Sequence, residues 1–430
     1  GFTITAGNAN GGWPHYLGGG ACNDAGSPIL TNCTFTGNSA DRQGGGMWNY
    51  ESSPTLTNCS FDGNKWTGMY NRVNSDPILT NCTFSNNVGA GIYSRGGSPV
   101  LDNCTFVGNP GSGMLNSGSS PSLVNCTFSG NLAKTGAGMR NAGSNIIAVN
   151  CSFSNNSSDE GGAVHSDRSD LALINCIFSG GSADKGGAIY SDRSTMMLTN
   201  CTLVGNSALD GNALCCDADR PDHASSIQMT NCILWDGGDE VSNNDGSIIT
   251  INYSDVQGGW PQGLGNIEAD PLFVDPANGD YHLTALSPCI DRGDNDAPAL
   301  PAEDFEGEQR IQHCRVDVGV DESPYFFDCN SNGEPDACDI ANGVSSDCNH
   351  NAIPDECDIA SGTSTDLNGN GVPDECEPDC NENDIPDDVD IADGTSQDLN
   401  GNDIPDECEL DCNENDVPDD WDISQGTSFD

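Results

Sequence analysis

The chain has 430 residues, 66 acidic against 13 basic, with a formal charge of −53 at pH 7 and a pI near 4.1. Such acidity repels nucleic acid and anionic membranes, which excludes both as partners and turns attention to cations. No run of about 18 apolar residues reads as a membrane span, and the length suffices for two domains.

The opening GFTITAGNANGG is already mid-pattern, without a charged-then-apolar leader, so a piece of a longer or processed protein is expected. From there the segments SPILTNCTF, SPTLTNCSF, DPILTNCTF, SPVLDNCTF and SPSLVNCTF recur, followed by IIAVNCSF, LALINCIF, MMLTNCTL and QMTNCIL. Nine Asn-Cys pairs share this register, with Cys at 33, 59, 82, 104, 126, 151, 176, 201 and 232, and a tenth copy keeps Asn252 but has Tyr253. A second short segment, introduced by Gly, recurs between them as GGGMWN, TGMYN, AGIYS, SGMLN, AGMRN, GGAVHS and GGAIYS. Each repeat therefore predicts two short strands separated by Gly/Asn turns. A unit of 22 to 25 residues cannot bury an apolar face alone, but stacked units share a continuous core. The fold class expected is all-β, a right-handed parallel β-helix of about ten coils, roughly 40 to 50 Å long at about 4.8 Å per coil.

Leu, Cys and Phe sit at relative positions −3, 0 and +2, and a bend at the Asn would turn all three inward. Ladders are expected of Leu30, Leu56, Leu79, Leu101 and Leu123, of the repeat Cys, and of Phe35, Phe61, Phe84, Phe106, Phe128, Phe153 and Phe178. The repeat Asn should stack as an amide ladder at the bend. Ladder neighbours about 4.8 Å apart are wide for disulfides, so the repeat Cys read as reduced packing thiols. Asn-Cys-Thr/Ser matches a glycosylation sequon at seven of nine copies, but a ladder also accounts for Asn175 and Asn231, where no Thr or Ser follows.

The stretch GNIEADPLFVDPANGDYHLTALSPCIDRGD, then EDFEGEQRIQHCRVDVGVDE, resembles the closing segment of secreted bacterial β-helix proteins of the polymorphic-outer-membrane-protein type, whose repeats also read like NCTFSGN and GGAIY. The resemblance covers roughly residues 1 to 322 and implies an extracellular or cell-surface location. It fixes no activity, since one fold serves adhesins and polysaccharide lyases alike.

At this point the composition shifts. Residues 328–430 hold 31 acidic side chains and no Lys or Arg, so domains are expected at 1–322 and 323–430. DCNSNGEPDACD opens six copies of one pattern, starting at Asp328, Asp347, Asp366, Asp379, Asp398 and Asp411, with Asp at 1, Asn at 3 and 5, Pro at 8, Asp at 9 and Asp or Glu at 12. Ca²⁺ takes six to eight oxygens, and a 12-residue loop presents them from positions 1, 3, 5, 7, 9 and 12; Mg²⁺ prefers a tighter octahedron. Steps of 19, 19, 13, 19 and 13 residues leave connectors of seven or one. The flanking helices of an EF-hand do not fit; IANGVSS, IASGTST, IADGTSQ and ISQGTSF suit at most a helical turn ended by Gly.

These loops resemble thrombospondin type 3 repeats and share their pattern with dockerins. The resemblance carries calcium ligands over to Asp328, Asn330, Asn332, Asp336 and Asp339; to Asp347, Asn349, Asn351, Asp355 and Asp358; to Asp366, Asn368, Asn370, Asp374 and Glu377; to Asp379, Asn381, Asn383, Asp387 and Asp390; to Asp398, Asn400, Asn402, Asp406 and Glu409; and to Asp411, Asn413, Asn415, Asp419 and Asp422. About six Ca²⁺ are expected. Position 6 is Gly333 and Gly371 but Ala352, Asp384, Asp403 and Asp416 elsewhere, which predicts strained or differently shaped turns. The Cys here, with their spacing, suit an oxidising setting. Pairing across one-residue connectors gives Cys376–Cys380 and Cys408–Cys412, with Cys338–Cys348 and Cys329–Cys357 by extension; pairing within loops, Cys329–Cys338 and Cys348–Cys357, is the other scheme.

A β-helix lyase or hydrolase would need a clustered Lys/Arg base or paired carboxylates on one face, and the thirteen basic residues are scattered mostly in turns. In HSDRS and YSDRS, Asp167/Arg168 and Asp192/Arg193 recur 25 residues apart. They should stack on adjacent coils as structural ion pairs, with Asp219 and Arg220 nearby, or else bind a carbohydrate acid; His165 reads as an exposed turn residue. The expectation is a non-enzymatic, extracellular calcium-binding protein, a surface adhesin or a fibre subunit self-associating through open strand edges. The alternative is a polysaccharide-binding or polysaccharide-cleaving β-helix tethered by a calcium-stiffened stalk.

Overall fold

A computed structural model of the chain describes residues 1–11, 17–41, 43–217, 224–412, 415 and 417–426. It divides into two compact units, Gly1–Tyr325 and Phe326–Asp430.

The first unit is a right-handed parallel β-helix. Its coils carry three strands, not the two expected, because the Asn-Cys segment is cut at its Asn into two. All nine Asn have φ between 49° and 56°, the left-handed region that Asn tolerates better than most residues. One sheet of ten strands runs from Ile29–Thr31 to Ile248–Asn252, a second of eleven from Thr3–Thr5 to Asp255–Val256, and a third of ten from Ala21–Asp24 to Val241–Asn243.

Each strand pairs in parallel with its counterpart one coil away, so like residues lie in register. Leu30, Leu56, Leu79, Leu101 and Leu123 align in the first sheet. In the second, the seven Phe rings from Phe35 to Phe178 stack with centroids 4.6 to 5.1 Å apart and planes within 8°. The nine repeat Cys are free and buried. Their Sγ hydrogens reach the carbonyl two residues back, as in Cys59 to Thr57 at 3.4 Å and Cys151 to Val149 at 3.3 Å, across the Asn bend.

Gly91, which introduces the third sheet, sits where a Cβ would lie 2.7 Å from the Gly113 carbonyl and 2.8 Å from the Phe106 ring. The Phe stack thus explains the recurrent Gly.

The amide ladder is only partly where the sequence placed it. The Asn of the Asn-Cys pairs touch one another at Asn81–Asn103 (2.7 Å), Asn150–Asn175 (3.1 Å) and Asn200–Asn231 (3.3 Å), and those of the early coils are exposed. The buried ladder is built by the Asn that follows each Phe strand: Asn38, Asn64, Asn87, Asn109, Asn131 and Asn156. From Asn64 onward each side-chain oxygen accepts the backbone N–H of the Asn one coil earlier at 3.0 to 3.1 Å, while that of Asn38 accepts the Gly7 N–H, and most amide groups also donate to a Phe carbonyl. These groups have no water to turn to, so the amides satisfy them.

Residues 254–325 close the last coil and fold back over the coils around Asn175, Asn200 and Asn231, whose amides donate to the carbonyls of Glu303, Asp317 and Asp294. Ile177 and Ile233, the residues that interrupt the sequon, are buried on this side. A hairpin of Phe273–Asp275 and Asp280–Leu283 stands beside the second sheet. Leu283, Cys289, Ile290 and Val318 form a small core with Ile233.

Among its described residues the second unit has four short helices, α1 (Asp336–Ala341), α2 (Asp355–Ser361), α3 (Asp387–Asp393) and α4 (Asp419–Gln425). Each starts at loop position 9 after Pro, and three end at a left-handed Gly, so they run longer than one turn because positions 9 to 12 belong to them. Where the connector is one residue, Asp374–Cys376 and Asp406–Cys408 make a 3₁₀ turn instead.

Candidate functional site

The acidic loops share one geometry. In the first, Asp328 accepts the backbone N–H of Asn332 on Oδ1 and of Gly333 on Oδ2, both at 3.0 Å. Asn330 and Asn332 turn their Nδ2 toward Asp339 Oδ2, at 3.1 and 2.6 Å. The same contacts recur from Asn349 and Asn351 to Asp358, Asn368 and Asn370 to Glu377, Asn381 and Asn383 to Asp390, Asn400 and Asn402 to Glu409, and from Asn415 to Asp422.

Positions 1, 3, 5 and 12 therefore gather, while position 9 turns elsewhere. Asp336, Asp355, Asp374, Asp387, Asp406 and Asp419 each accept the N–H of position 2 at 2.8 to 3.0 Å. Burial pushes the Asp336 carboxyl up. Position 6 keeps one turn shape: Ala352, Asp384 and Asp403 adopt φ of 63 to 64° where Gly333 and Gly371 have 91 and 87°. Asn413 and Asp416 lie outside the described residues, as do Asp219 and Arg220.

The side chain at position 10 was not singled out in the sequence. Glu356, Glu375, Asp388 and Asp420 receive the amide of position 3 in the preceding loop, Asn330, Asn349, Asn368 and Asn400, at 2.8 to 3.5 Å. The Ser364 hydroxyl also donates to Glu375 and holds its carboxyl below the usual range. Four of the acid clusters thus draw on two loops.

The disulfide pairing differs from both schemes in all but one bond. Cys329–Cys357 is present, but Cys348 joins Cys376 and Cys380 joins Cys408. Cys376–Cys380, Cys408–Cys412 and Cys338–Cys348 are therefore corrected; Cys338 is disulfide-bonded as well, and Cys412 is free and exposed. The helical turn starting at position 9 carries position 11 back toward the preceding loop, where it meets position 2. Asp336 and Asp387 lie beside these sulfurs, but sulfur in a disulfide is no thiolate ligand.

On the β-helix, Asp167 and Asp192 pair in register. Arg193 bridges both, at 3.0 and 2.8 Å, and Arg168 holds Asp167 at 2.8 Å. The charges are spent on one another in a ladder of ion pairs. His165 is corrected: it is a buried residue of the strand Val164–Asp167, stacked on Tyr190 at 5.0 Å with Nε2 3.4 Å from Glu160.

A groove of about 910 Å³ lies between the second sheet and the closing segment. Its floor is Thr127, Ser152, Ser154 and Ser179, which face outward because Phe128, Phe153 and Phe178 on the alternate positions face the core. Its wall is the Pro276–Gly279 turn with Tyr281 and Phe305.

The family described as right handed beta helix region matches residues 5–128 and 114–271. No curated protein matches the chain. Among solved structures, the chain is similar to pectate lyase Pel9A, with a TM-score of 0.37 and 13% identity over 67% of this chain and 82% of that one. It is also similar to the receptor binding domain of the Siphovirus 9NA tailspike, with a TM-score of 0.24 and 9% identity over 57% of this chain and 52% of that one. At these identities the likeness concerns the fold alone. It does correct the expectation that the chain is no enzyme, because a lyase stands among the folds it resembles. Scattered basic residues are no ground for excluding catalysis.

Proposed function

Since the chain belongs to the right-handed β-helix family, we propose that it is an extracellular β-helix protein whose acidic tail binds about six Ca²⁺. The observation that carries this reading is the convergence of the side chains of positions 3 and 5 on the carboxylates of position 12 and of position 10 in the next loop, in a segment free of Lys and Arg. The Nδ2 groups of positions 3 and 5 stand in for a cation against the position-12 carboxylate. Asp358 Oδ1, Asp374 Oδ2 and Asp406 Oδ2 are buried without a hydrogen-bond partner, an arrangement that costs stability unless a cation is supplied. An all-oxygen donor set fits a hard ion. The paired cysteines of the tail fit an oxidising compartment. Calorimetric titration is expected to count close to six calcium ions per chain; a count of zero overturns the reading.

The groove favours a second reading for the β-helix, binding or cleavage of a polysaccharide. Hydroxyl and amide groups on the floor with two aromatic rings on the wall are what a saccharide ring meets in a concave site. Affinity electrophoresis on neutral and acidic glycans, with Tyr281→Ala beside Asp192→Ala, separates the groove from the ion-pair ladder: retardation lost only in Tyr281→Ala supports the groove. Self-association into a fibre, through strand edges, predicts filaments in electron micrographs; monomers alone in calcium rule it out.

A further inference from the structure

The closing segment brings together three side chains that neither the loops nor the ion-pair ladder uses. His282 lies in the strand Asp280–Leu283, Glu306 in the turn after Asp304, and Asp321 near the end of the unit. One ligand atom from each falls within 4.8 Å of the others.

All three are held in place by partners outside the trio. Asp304 Oδ1 accepts the N–H groups of Glu306, Gly307 and Glu308 at 2.8 to 3.0 Å, which fixes the turn carrying Glu306. Asp321, 6% exposed, accepts the Leu283 N–H on Oδ2 at 2.8 Å. His282 Nδ1 lies 2.6 Å from Asp280 Oδ1. A ring nitrogen facing a carboxylate carries the proton, so Nε2, on the side of Glu306, is the nitrogen left to bind an ion.

The spacing is that of an ion site. Nε2 is 4.0 Å from Glu306 Oε1, too far for a hydrogen bond, and a few tenths of an ångström wider than the about 3.4 Å between two tetrahedral ligands each about 2.1 Å from one shared ion. The charges around it are Asp280, Asp304, Glu306 and Asp321, and the guanidinium near them, Arg310, is buried and gives its hydrogens to the carbonyls of Gly319 and Val320. Negative charge is left in surplus.

We infer that His282, Glu306 and Asp321 bind a divalent ion of the zinc class, at a site distinct from the calcium loops. An imidazole nitrogen is foreign to Ca²⁺, which takes oxygens, and suits zinc. Three protein ligands leave a fourth position open. Asp280 behind His282 is the carboxylate that orients a metal-bound imidazole. Tyr281 and Phe305, the chain neighbours of His282 and Glu306, line the groove, so the ion would lie at its border.

Cobalt(II), standing in for zinc, tests this on the full chain in saturating calcium, by visible absorption. One ion per chain without a sulfur charge-transfer band is expected. His282→Ala abolishes that site, Glu306→Gln, an isosteric change, weakens it, and Asp280→Ala weakens it about 10- to 100-fold. The calcium count and thermal midpoint stay unchanged in all three. Equal cobalt binding by wild type and His282→Ala, binding through sulfur alone, or no binding at all overturns the inference.

Discussion

Phe106 stands at the centre of the aromatic stack, fully buried between Phe84 and Phe128. Phe106→Ala is expected to cost about 3 to 5 kcal/mol, since the ladder cannot close over the gap without shifting whole coils; the denaturant midpoint of the β-helix measures it. Asp255 is buried at the last coil, accepting the Ala269 N–H at 3.1 Å, and burial pushes its carboxyl up to about 7. An unfolded aspartate titrates near 4, so the folded state holds the extra proton between those values. Its stabilising contribution is full below about pH 4 and lost as pH rises through about 7. The melting temperature of the β-helix should therefore be higher at pH 5 than at pH 8, and Asp255→Asn should narrow that difference; an unchanged difference would assign it to the general negative charge. Thiols give a third prediction. Fourteen Cys are free, of which Cys22 and Cys412 are exposed. A thiol reagent should modify two per native chain and fourteen after denaturation.

At the scale of elements, one spacing governs the tail. Three of its bonds join position 2 to position 11 of the next loop at a separation of 28 residues, and these span a seven-residue connector. Across the one-residue connectors the equivalent positions are Leu367 with Val389 and Leu399 with Trp421, both partners replaced together. That joint replacement was visible in the sequence. The nearer pair, Val389 and Leu399, are also both replaced, and only the helical turn at position 9, which carries position 11 back toward the preceding loop, tells the two pairings apart. Position 10 carries a similar signal. It is Glu356, Glu375, Asp388, Glu407 and Asp420 in every loop with a predecessor and Ala337 in the first, as expected of a residue that serves the loop before its own. Glu375→Gln should weaken calcium at the loop starting at Asp347 more than at the one starting at Asp366, read from the amide shifts of each loop during titration.

For the molecule as a whole, the two units rest on different physics. The β-helix buries stacked Leu, Cys and Phe and needs no ion to do so, while the tail gathers carboxylates with little apolar core. Chelation of calcium should open the tail to protease and leave the β-helix melting transition in place; loss of both transitions together would show that the ions also hold the coils. The amino-acid sequence by itself determined the solenoid, its Leu and Phe ladders, its buried thiols and the twelve-residue acid loops, because a repeat states the same contact many times and register follows from periodicity. Only the tertiary structure decided what depends on how the chain turns between repeats: the third strand at the left-handed Asn, the buried Asn ladder, the burial of His165, the disulfide partners, and the meeting of His282, Glu306 and Asp321. Those contacts join residues with no shared period, and the backbone that brings them together is set by the packing of neighbouring coils and loops.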